Sequence, residues 1–291
     1  MTSLARNDPR PVLVVGAAGK TGRSVSAALL RRGAPVRAVV RPGREASAPP
    51  GATPVAVDLE TGAGLEAALT GVRAAYHLAP NVHPDEVGMA RRLAAAAVAT
   101  GLPHLVFHSV LHPDDARMPH HLRKAEAERV LRAALPGRVA VLRPAAYHQN
   151  LVAAALQGEL AVPYSLDAPF TTVDLDDVAE VAAVVLLDPG AGGADHDLAG
   201  PEVLSTRQMA QEAAVALGRP VAARRLTTSE WLEGPGASLG AEARDALLAM
   251  FAAYDDDGLV GGPGDLTALL GRRPTTWTER LRAAAEAGAA E

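Results

Sequence analysis

A glycine-rich turn near the start of the chain has the residue types and spacing that bind phosphate groups. An apolar run ends at Val15, a helical pattern follows, and the turn between them reads Gly16-Ala17-Ala18-Gly19-Lys20-Thr21-Gly22. Glycines let the backbone approach a pyrophosphate closely, and the N-terminus of a helix supplies unpaired N–H groups and a partial positive charge. The turn therefore predicts a dinucleotide site, although a tight turn that only packs helix against strand is the alternative.

The end of the same turn, Gly19-Lys20-Thr21, resembles the end of a P-loop. That motif needs a glycine five residues before Gly19, and Val14 stands there. A nucleotide triphosphatase is therefore disfavoured.

Arg41 indicates which dinucleotide binds. It follows the second β-rich run, about twenty residues past the turn, where a NAD-binding chain typically carries an acidic residue against the ribose hydroxyls. Together with Arg37 and Arg44 it leaves this region without a carboxylate until Glu45. A 2'-phosphate would be paired rather than repelled, so the sequence predicts NADP(H). The alternative is that these arginines only solvate the end of a strand.

Asp58 and Leu59 follow the third β-rich run and are further candidates for cofactor binding. Asp58 is placed to accept a hydrogen bond from an adenine amino group. A plain helix-capping role for Asp58 is the alternative.

The elements that must position these residues alternate between short β-rich runs and longer helical patterns. Such alternation is typical of βαβ units and of a parallel sheet buried on both faces. The predicted fold class is α/β, with a doubly wound Rossmann-type parallel sheet. Its six predicted strands span residues 11–15, 36–40, 54–57, 74–78, 104–108 and 138–142, and the main helices span residues 20–32, 86–100 and 176–187.

After Pro144 the pattern changes to a mixed tail punctuated by proline and glycine. Three pairs of residues in it fit capping boxes and predict helix starts: Ser205 with Gln208, Thr227 with Glu230, and Thr276 with Glu279. We therefore expect a cofactor-binding domain over residues 1–150, with residues 174–188 returning to it. A second, smaller, mostly helical substrate domain is expected over residues 151–291.

Composition limits the classes of partner and chemistry. The net charge is -5, from 28 basic and 33 acidic residues, so no positive excess is available to neutralise a nucleic-acid backbone. The chain has no cysteine, so any redox chemistry must come from a bound cofactor. Met1–Arg10 lack the apolar stretch of a secretion signal, and no apolar run reaches membrane-spanning length. We therefore expect a cytoplasmic protein without a membrane partner.

Several motifs together make the chain resemble the NmrA-like family, which are atypical short-chain dehydrogenase/reductase proteins. Each motif alone is unspecific, but their order and spacing cover nearly the whole chain. Besides the glycine turn they are Val36–Arg41, Asp58-Leu59, His77–Pro80, Phe107–Val110, Arg123-Lys124, Leu142–Tyr147, Leu198–Pro201 and Leu269–Arg272.

The resemblance implies roles for residues at the motif positions. The glycine turn would hold the pyrophosphate and Arg41 the 2'-phosphate. Lys124 would touch the nicotinamide ribose and serve as acid or base, unless it is only a surface lysine beside Glu126 and Glu128. The remaining implied positions are Ala79, Pro80, Pro144 and Ala146 around the nicotinamide, and Tyr147 and Asn150 facing the substrate, to which we add His112 as a substrate-binding candidate.

The chain departs from the broader dehydrogenase pattern at position 120. The usual proton donor is a Tyr four residues before the Lys, and His120 stands there. These two positions share a helix face, so His120 either donates a proton near neutral pH or is inert. Ser109, where the larger family keeps a carbonyl-polarising hydroxyl, also loses a clear role without the Tyr. The pattern favours direct hydride transfer to a quinone, dye or conjugated acceptor, which needs alignment more than a strong acid.

The histidines raise the question of a metal site. They stand at positions 104, 108, 112, 120, 121 and 148, and no Asp, Glu or His falls at a spacing that would complete a helical metal site. We therefore expect no metal.

Two classes of function follow from the sequence. The first is an NADPH-dependent reductase of a small aromatic, quinone-like or enone substrate, with a place in secondary metabolism. The second is a regulatory protein that senses NADP(H) and catalyses nothing. A third hypothesis is an isomerase or lyase of a natural-product intermediate, in which the dinucleotide is structural.

Overall fold

The computed structural model describes residues 8–289. The strands in chain order are β1 (Val12–Val14), β2 (Val36–Val40), β3 (Thr53–Ala56), β4 (Ala74–His77), β5 (Leu105–His108), β6 (Val139–Pro144), β7 (Ala146–Tyr147), β8 (Glu159–Val162), β9 (Phe170–Val173), β10 (Asp195–Leu198), β11 (Val203–Leu204) and β12 (Ala222–Arg225). The α-helices are α1 (Lys20–Arg31), α2 (Leu65–Leu69), α3 (Glu86–Ala99), α4 (Pro119–Ala134), α5 (Val152–Gln157), α6 (Leu175–Leu187), α7 (Thr206–Leu217), α8 (Thr228–Glu233), α9 (Ala241–Asp257), α10 (Gly264–Leu270) and α11 (Trp277–Ala289).

The main sheet confirms the predicted Rossmann-type α/β fold. Its seven strands lie in the order β10-β6-β5-β4-β1-β2-β3. β1 to β6 pair in parallel, and Val12 of β1 lies opposite Val36 of β2 on one side and Ala74 of β4 on the other. The strand order reverses between β1 and β4. Ligands of such sheets bind outside the carboxyl ends of the strands at this switch point.

The predicted strands agree with β1 to β6 to within two residues at each end. The seventh strand, β10, was not predicted because its sequence Asp195-His196-Asp197-Leu198 is mostly polar. It lies at the edge of the sheet, where its first three residues are exposed or half-buried. An edge strand needs little apolar surface, so hydrophobic periodicity does not reveal it.

The apolar interior of the sheet layer is built mainly from small aliphatic side chains. Helix α3 buries Ala90, Leu93 and Ala97, which share one helical face, in the same cluster as Leu13 of β1 and Phe107 of β5. Small side chains let helices approach the sheet closely. This packing accounts for a chain that is 48% hydrophobic and only 3% aromatic.

The chain packs as two compact units. Among the described residues, the first comprises residues 8–114, His121–Arg143 and Val178–His196, and the second comprises Asp115–His120, Pro144–Asp177 and residues 197–289. Packing thus divides the chain at Arg143, ahead of residue 150. The predicted division into domains at residue 150 stays a prediction.

The second unit contains helices and two small sheets, β11-β9-β7 and β12-β8. Its apolar cluster includes Trp277, which is fully buried and donates its indole N–H to the Met209 carbonyl at 2.9 Å. The second tryptophan, Trp231, packs edge-on against Phe251 with ring centroids 5.1 Å apart.

All three predicted capping boxes are confirmed. Both reciprocal hydrogen bonds form before α7, between Ser205 and Gln208, and before α8, between Thr227 and Glu230. Before α11, the Thr276 amide donates to the Glu279 carboxylate at 2.8 Å and the Glu279 amide donates to the Thr276 hydroxyl at 3.3 Å.

Within residues 8–289, every helix is too short or too polar to span a lipid bilayer. Most of the segment Met1–Arg10, on which the expected absence of a secretion signal rests, lies outside the described residues.

The junction between β1 and α1 is packed so closely that it requires glycine. A Cβ atom at Gly22 would lie 2.2 Å from the Gly16 carbonyl oxygen and 2.7 Å from the Ala17 Cα. Backbone atoms cannot rotate away as the end of a flexible side chain can. Gly22 therefore sets how closely the first turn of α1 approaches the end of β1.

We predict that Gly22→Ala lowers the free energy of unfolding by about 1–3 kcal/mol, because the added methyl overlaps fixed backbone atoms. Helix propensity alone would give the opposite sign, since Ala is favoured over Gly inside a helix by about 1 kcal/mol. Denaturant unfolding followed by circular dichroism measures the change. Gly262→Ala is the control, because a Cβ atom there meets nothing within 4 Å. Equal or greater stability of Gly22→Ala would contradict the close approach.

Candidate functional site

The glycine turn leaves the N-terminus of α1 open. Gly16 has φ +76°, a conformation that favours glycine. The Gly19 amide donates a hydrogen bond of 3.0 Å to the Gly16 carbonyl and so closes the turn. The N-cap residue of α1 is Gly19, so no side chain at that position accepts a hydrogen bond, and the first turn carries no acidic residue. The positive end of the helix dipole is therefore not neutralised by an acidic side chain of the helix's own first turn, as an anion site requires.

Arg41 and Arg44 lie in the exposed segment that follows β2. Within residues 8–289, neither guanidinium makes a hydrogen bond or an ion pair with another side chain or carbonyl. Arg37 differs, because it donates to the Ala68 carbonyl at 2.6 Å and to the Thr70 carbonyl at 3.0 Å, and so ties β2 to the end of α2. Arg41 and Arg44 remain as the cations that suit a 2'-phosphate.

Arg23 is a residue of this region that sequence reasoning missed. Its Nε donates to the Ala18 carbonyl at 3.0 Å and its Nη2 donates to the Ser47 carbonyl at 2.7 Å. It thereby joins the glycine turn to the segment that follows Arg41. Its position directly after Gly22 is the sequence signal that could have drawn attention to it.

Asp58 and Leu59 are held by local structure. The Asp58 carboxylate accepts hydrogen bonds from the Glu60 amide at 2.9 Å and the Thr61 amide at 3.4 Å. The Thr61 side chain and these amides hold the pKa of Asp58 below its ordinary value. Leu59 packs against the apolar cluster and its carbonyl accepts from Arg92 at 2.9 Å. These contacts close a turn ahead of α2, whose N-cap is Gly64, so the helix-capping alternative for Asp58 is wrong. Binding of adenine there stays a prediction.

Lys124 is held inside the first unit. Its Nζ donates to the Glu86 carboxylate at 2.6 Å, and the two side chains are only 13% and 1% exposed. The alternative of a surface lysine beside Glu126 and Glu128 is therefore wrong. Lys20 and Lys124 are the only lysines in the chain, and every other one of its 28 basic residues is Arg. Sequence reasoning missed Glu86, which opens α3 far from Lys124 in the chain.

Two buried histidines near Lys124 are kept neutral. His77 at the end of β4 is fully buried, stacks on Phe107 at 5.7 Å, and its ring nitrogens find no hydrogen-bond partner among the described residues. His108 at the end of β5 bonds to the Tyr76 hydroxyl through Nδ1. Burial, and then the charge of Lys124, lowers the pKa of each histidine to about 3.

The Ser109 hydroxyl points into a buried ionic network. It donates to Glu128 at 2.5 Å, and Arg143 donates to the same carboxylate at 2.5 and 3.1 Å. Arg143 also lies 3.0 Å from Asp195 of β10. This hydroxyl is therefore already engaged, and its predicted role towards a carbonyl stays untested.

Ala79 and Pro80 follow β4 in a strained turn. Ala79 is buried and Pro80 is exposed. The His83 amide closes the turn on the Pro80 carbonyl at 3.3 Å, and the buried Val82 within it has φ +53°. A β-branched residue at positive φ is a strained conformation that persists only where the surrounding structure enforces it.

Each remaining site candidate from the sequence belongs to one of the two compact units. His112, in the first unit, is exposed at φ +52°, and its carbonyl is hydrogen-bonded to the His121 ring at 3.0 Å. In the second unit, His120 is buried in the first turn of α4, one helical turn before Lys124. The others are Pro144 at the end of β6, Ala146 and half-buried Tyr147 in β7, which pairs with β9, and exposed Asn150.

The described part of the chain contains no group of three His, Asp or Glu side chains arranged to hold a metal ion. His104 instead bonds to the Val185 carbonyl at 3.0 Å.

The positions of these residues along parallel strands bring several of them to one edge of the sheet. The glycine turn follows β1, Ala79 follows β4 and Ser109 follows β5, so all lie at carboxyl ends of strands on the same edge of the sheet as the switch point.

A model of the NmrA-like family matches residues 9–279. The chain belongs to the NmrA-like family. The resemblance read from the motifs is thereby confirmed.

Three of the proteins to which this chain is similar are reductases or oxidoreductases by name. An NAD(P)H azoreductase from Xenophilus azovorans is 30% identical over 287 residues, which cover 95% of this chain and 98% of the relative. A (4-alkanoyl-5-oxo-2,5-dihydrofuran-3-yl)methyl phosphate reductase from Streptomyces griseus is 32% identical over 219 residues, or 72% of this chain and 75% of that relative. An NADPH-dependent quinone oxidoreductase from Escherichia coli, solved in complex with NADPH, matches with a TM-score of 0.80 at 24% identity, covering 94% of this chain and 99% of that one. This last likeness shows a common fold.

The buried His77 generates a prediction about acid stability. The pKa of His77 in the folded chain lies near 3, below the ordinary 6.5. As the pH falls below about 6.5, the unfolded chain therefore binds a proton at this histidine and the folded chain does not. Wild-type stability therefore drops in that range. We expect His77→Leu to remove this loss and to gain about 2 kcal/mol relative to wild type between pH 8 and pH 5.

Chemical unfolding at the two pH values measures this difference. His83→Leu is the matched control, since the His83 side chain is 24% exposed. The same pH dependence in both variants would contradict the buried neutral state of His77.

Proposed function

We propose that this protein is an NADP(H)-dependent reductase that transfers hydride to a small aromatic, quinone-like or enone acceptor. The observation that carries the proposal is the open N-terminus of α1 above the glycine turn, with the unpaired Arg41 at the end of the neighbouring strand. The azoreductase and quinone oxidoreductase relatives support the class of acceptor. The Streptomyces relative, whose substrate name includes an unsaturated ring carbonyl, supports the enone class of acceptor. A place in secondary metabolism is part of the proposal.

The residues fit the phosphate groups of the dinucleotide. Side chains at Gly16 or Gly22 would collide with the Leu78 carbonyl at 3.0 Å or with the Gly16 carbonyl at 2.2 Å, so glycine keeps the backbone bare. Amides at the start of α1 would hold the pyrophosphate, and Arg41 would pair with the 2'-phosphate.

The bound nicotinamide supplies the hydride, and the chain supplies alignment, charge and exclusion of water. Ala79 and the strained turn behind it would line the nicotinamide side without offering a competing acid. Lys124 would donate a hydrogen bond near the reacting end of the cofactor. With His120 in place of the usual Tyr, an acceptor that takes hydride on a conjugated system suits the site better than a simple ketone.

The absence of that Tyr also favours a second candidate, a non-catalytic NADP(H) sensor.

Calorimetric titration with NADPH and NADP tests binding first. Absorbance at the reduced-nicotinamide band is then followed with a panel of quinones, azo dyes and enones. Oxidation of NADPH that depends on the acceptor supports the reductase. Tight binding without oxidation of NADPH across the panel would favour the sensor. Conversion of a substrate with no net oxidation of NADPH would favour the isomerase or lyase.

We predict that Arg41→Ala weakens NADPH binding by about 10- to 100-fold and leaves NADH nearly unchanged, since a charge-assisted pair with a phosphate contributes about 1.5–3 kcal/mol. Calorimetry with both cofactors measures the two effects. Arg31→Ala, which removes an exposed cation from the last turn of α1, should change neither affinity. Equal losses for NADPH and NADH in Arg41→Ala would remove the basis for the 2'-phosphate site.

Lys124→Ala is expected to abolish turnover, because it removes the ammonium from the proposed reacting end of the site. Glu86 would then be a buried carboxylate without its partner, so folding is checked by circular dichroism before activity is measured. Turnover at the wild-type rate in a folded Lys124→Ala variant would show that Lys124 only balances a buried charge.

A further inference from the structure

The ion pair between Lys124 and Glu86 is closed off from solvent. The two charges are 2.6 Å apart, and the Glu86 side chain is only 1% exposed. They come from different elements, α4 and α3. A buried charge without a partner is strongly unfavourable, so each of these charges makes the other tolerable.

The other groups that face Lys124 do not compensate its charge. From β5, the His108 carbonyl accepts a hydrogen bond at 3.4 Å and the Phe107 ring lies 5.7 Å from Nζ. The rings of His77 and His108 are neutral, with pKa values lowered to about 3 by burial and by Lys124 itself. On α4, one turn further, Glu128 is engaged by Ser109 and Arg143. Glu86 is thus the carboxylate that balances Lys124.

Glu86 is held in a fixed place at the start of α3. It is the first residue of α3, where the positive end of the helix dipole favours a carboxylate. Its backbone belongs to a helix that is packed into the apolar cluster through Ala90, Leu93 and Ala97. A group on such an element holds its partner more precisely than a group on a loop.

We propose that Glu86 is a positioning residue that holds Lys124 as an ammonium, so that Lys124 serves the reaction as a hydrogen-bond donor and not as a base. A lysine base would have to lose its proton while facing Glu86, and this would leave the Glu86 carboxylate buried without a compensating cation. The assignment rests on the proposed function, since it gives Glu86 a part in that same site. It replaces the acid-or-base role that family resemblance implies for Lys124.

The lysine content of the chain makes a direct test possible. Lys20 and Lys124 are the only lysines, so biosynthetic labelling with ¹³C,¹⁵N-lysine gives two side-chain signals, which Lys20→Arg assigns. We expect the wild-type Lys124 signal to be that of an ammonium throughout the pH range of activity. Glu86→Gln keeps the size of the side chain and removes its charge. It should lower the pH midpoint of the Lys124 signal by about 1–3 units, the effect of losing an opposite charge at this distance.

Glu126→Gln is the matched control. Glu126 lies on α4 two residues after Lys124 and pairs with Arg129 and Arg91, so its neutralisation should leave the Lys124 signal in place. A neutral amine at Lys124 in the wild type would overturn the proposal. So would equal midpoints in Glu86→Gln and wild type.

Turnover as a function of pH separates a donor from a base. If Lys124 is a donor, Glu86→Gln should lower the pH above which turnover is lost. The decrease should equal, in pH units, the decrease in the midpoint of the Lys124 signal. If Lys124 is a base, the same variant should become more active at neutral pH, because more of the amine is free, and the proposal would fall.

Glu86→Asp provides a second route if Glu86→Gln does not fold. It keeps the charge but withdraws the carboxylate by one methylene, so Lys124 should remain an ammonium while turnover falls several-fold. Full turnover in a folded Glu86→Asp variant would contradict a positioning role. A wild type that binds NADPH but reduces no acceptor would defeat the proposed function alone, because the lysine spectra decide the Glu86 assignment without turnover.

Discussion

The contact between the backbones of Gly22 and Gly16 is the constraint on which the rest of the site depends. With a Cβ atom at Gly22 only 2.2 Å from the Gly16 carbonyl oxygen, α1 can meet the end of β1 only if no side chain stands between them. This approach brings the first turn of α1 to the switch point of the sheet with its N–H groups uncapped at Gly19. A phosphate binds to such a helix end through fixed dipoles that need no rearrangement. Arg23 donates to the Ala18 and Ser47 carbonyls, so it ties the glycine turn to the segment that follows Arg41.

How much of this could be predicted from the sequence depended on how local each feature is. Strands β1 to β6, the start of α1 and the capping boxes at Ser205, Thr227 and Thr276 were predicted correctly, because apolar periodicity and capping act over a few residues. Strand β10 was missed because its polar residues are stabilised by an edge position that only the assembled sheet creates. The partner of Lys124 was also missed. Sequence proximity suggested Glu126 and Glu128, but the chain brings Glu86 to Lys124 from another helix and sends Glu128 to Ser109 and Arg143.

The first unit buries several charged and titratable side chains near the carboxyl ends of its strands. Lys124 with Glu86 and Arg143 with Glu128 are compensated pairs, while His77 and His108 stay neutral. Lys124 and its partner Glu86 thus lie at the carboxyl end of β5, beside two histidines that burial keeps neutral. Transfer of hydride to a conjugated acceptor needs alignment and a stabilising charge more than a strong proton donor. The arrangement therefore agrees with the reductase proposal and with the name of the azoreductase relative.

The central claim is that a dinucleotide with a 2'-phosphate lies across the start of α1. A crystal structure of this protein grown with excess NADPH tests it most directly. We expect pyrophosphate oxygens within hydrogen-bond distance of the backbone amides between Ala17 and Gly22, and the 2'-phosphate against the Arg41 guanidinium. NADPH bound elsewhere, or a glycine turn closed by side chains in crystals that hold no cofactor despite saturating NADPH, would contradict it.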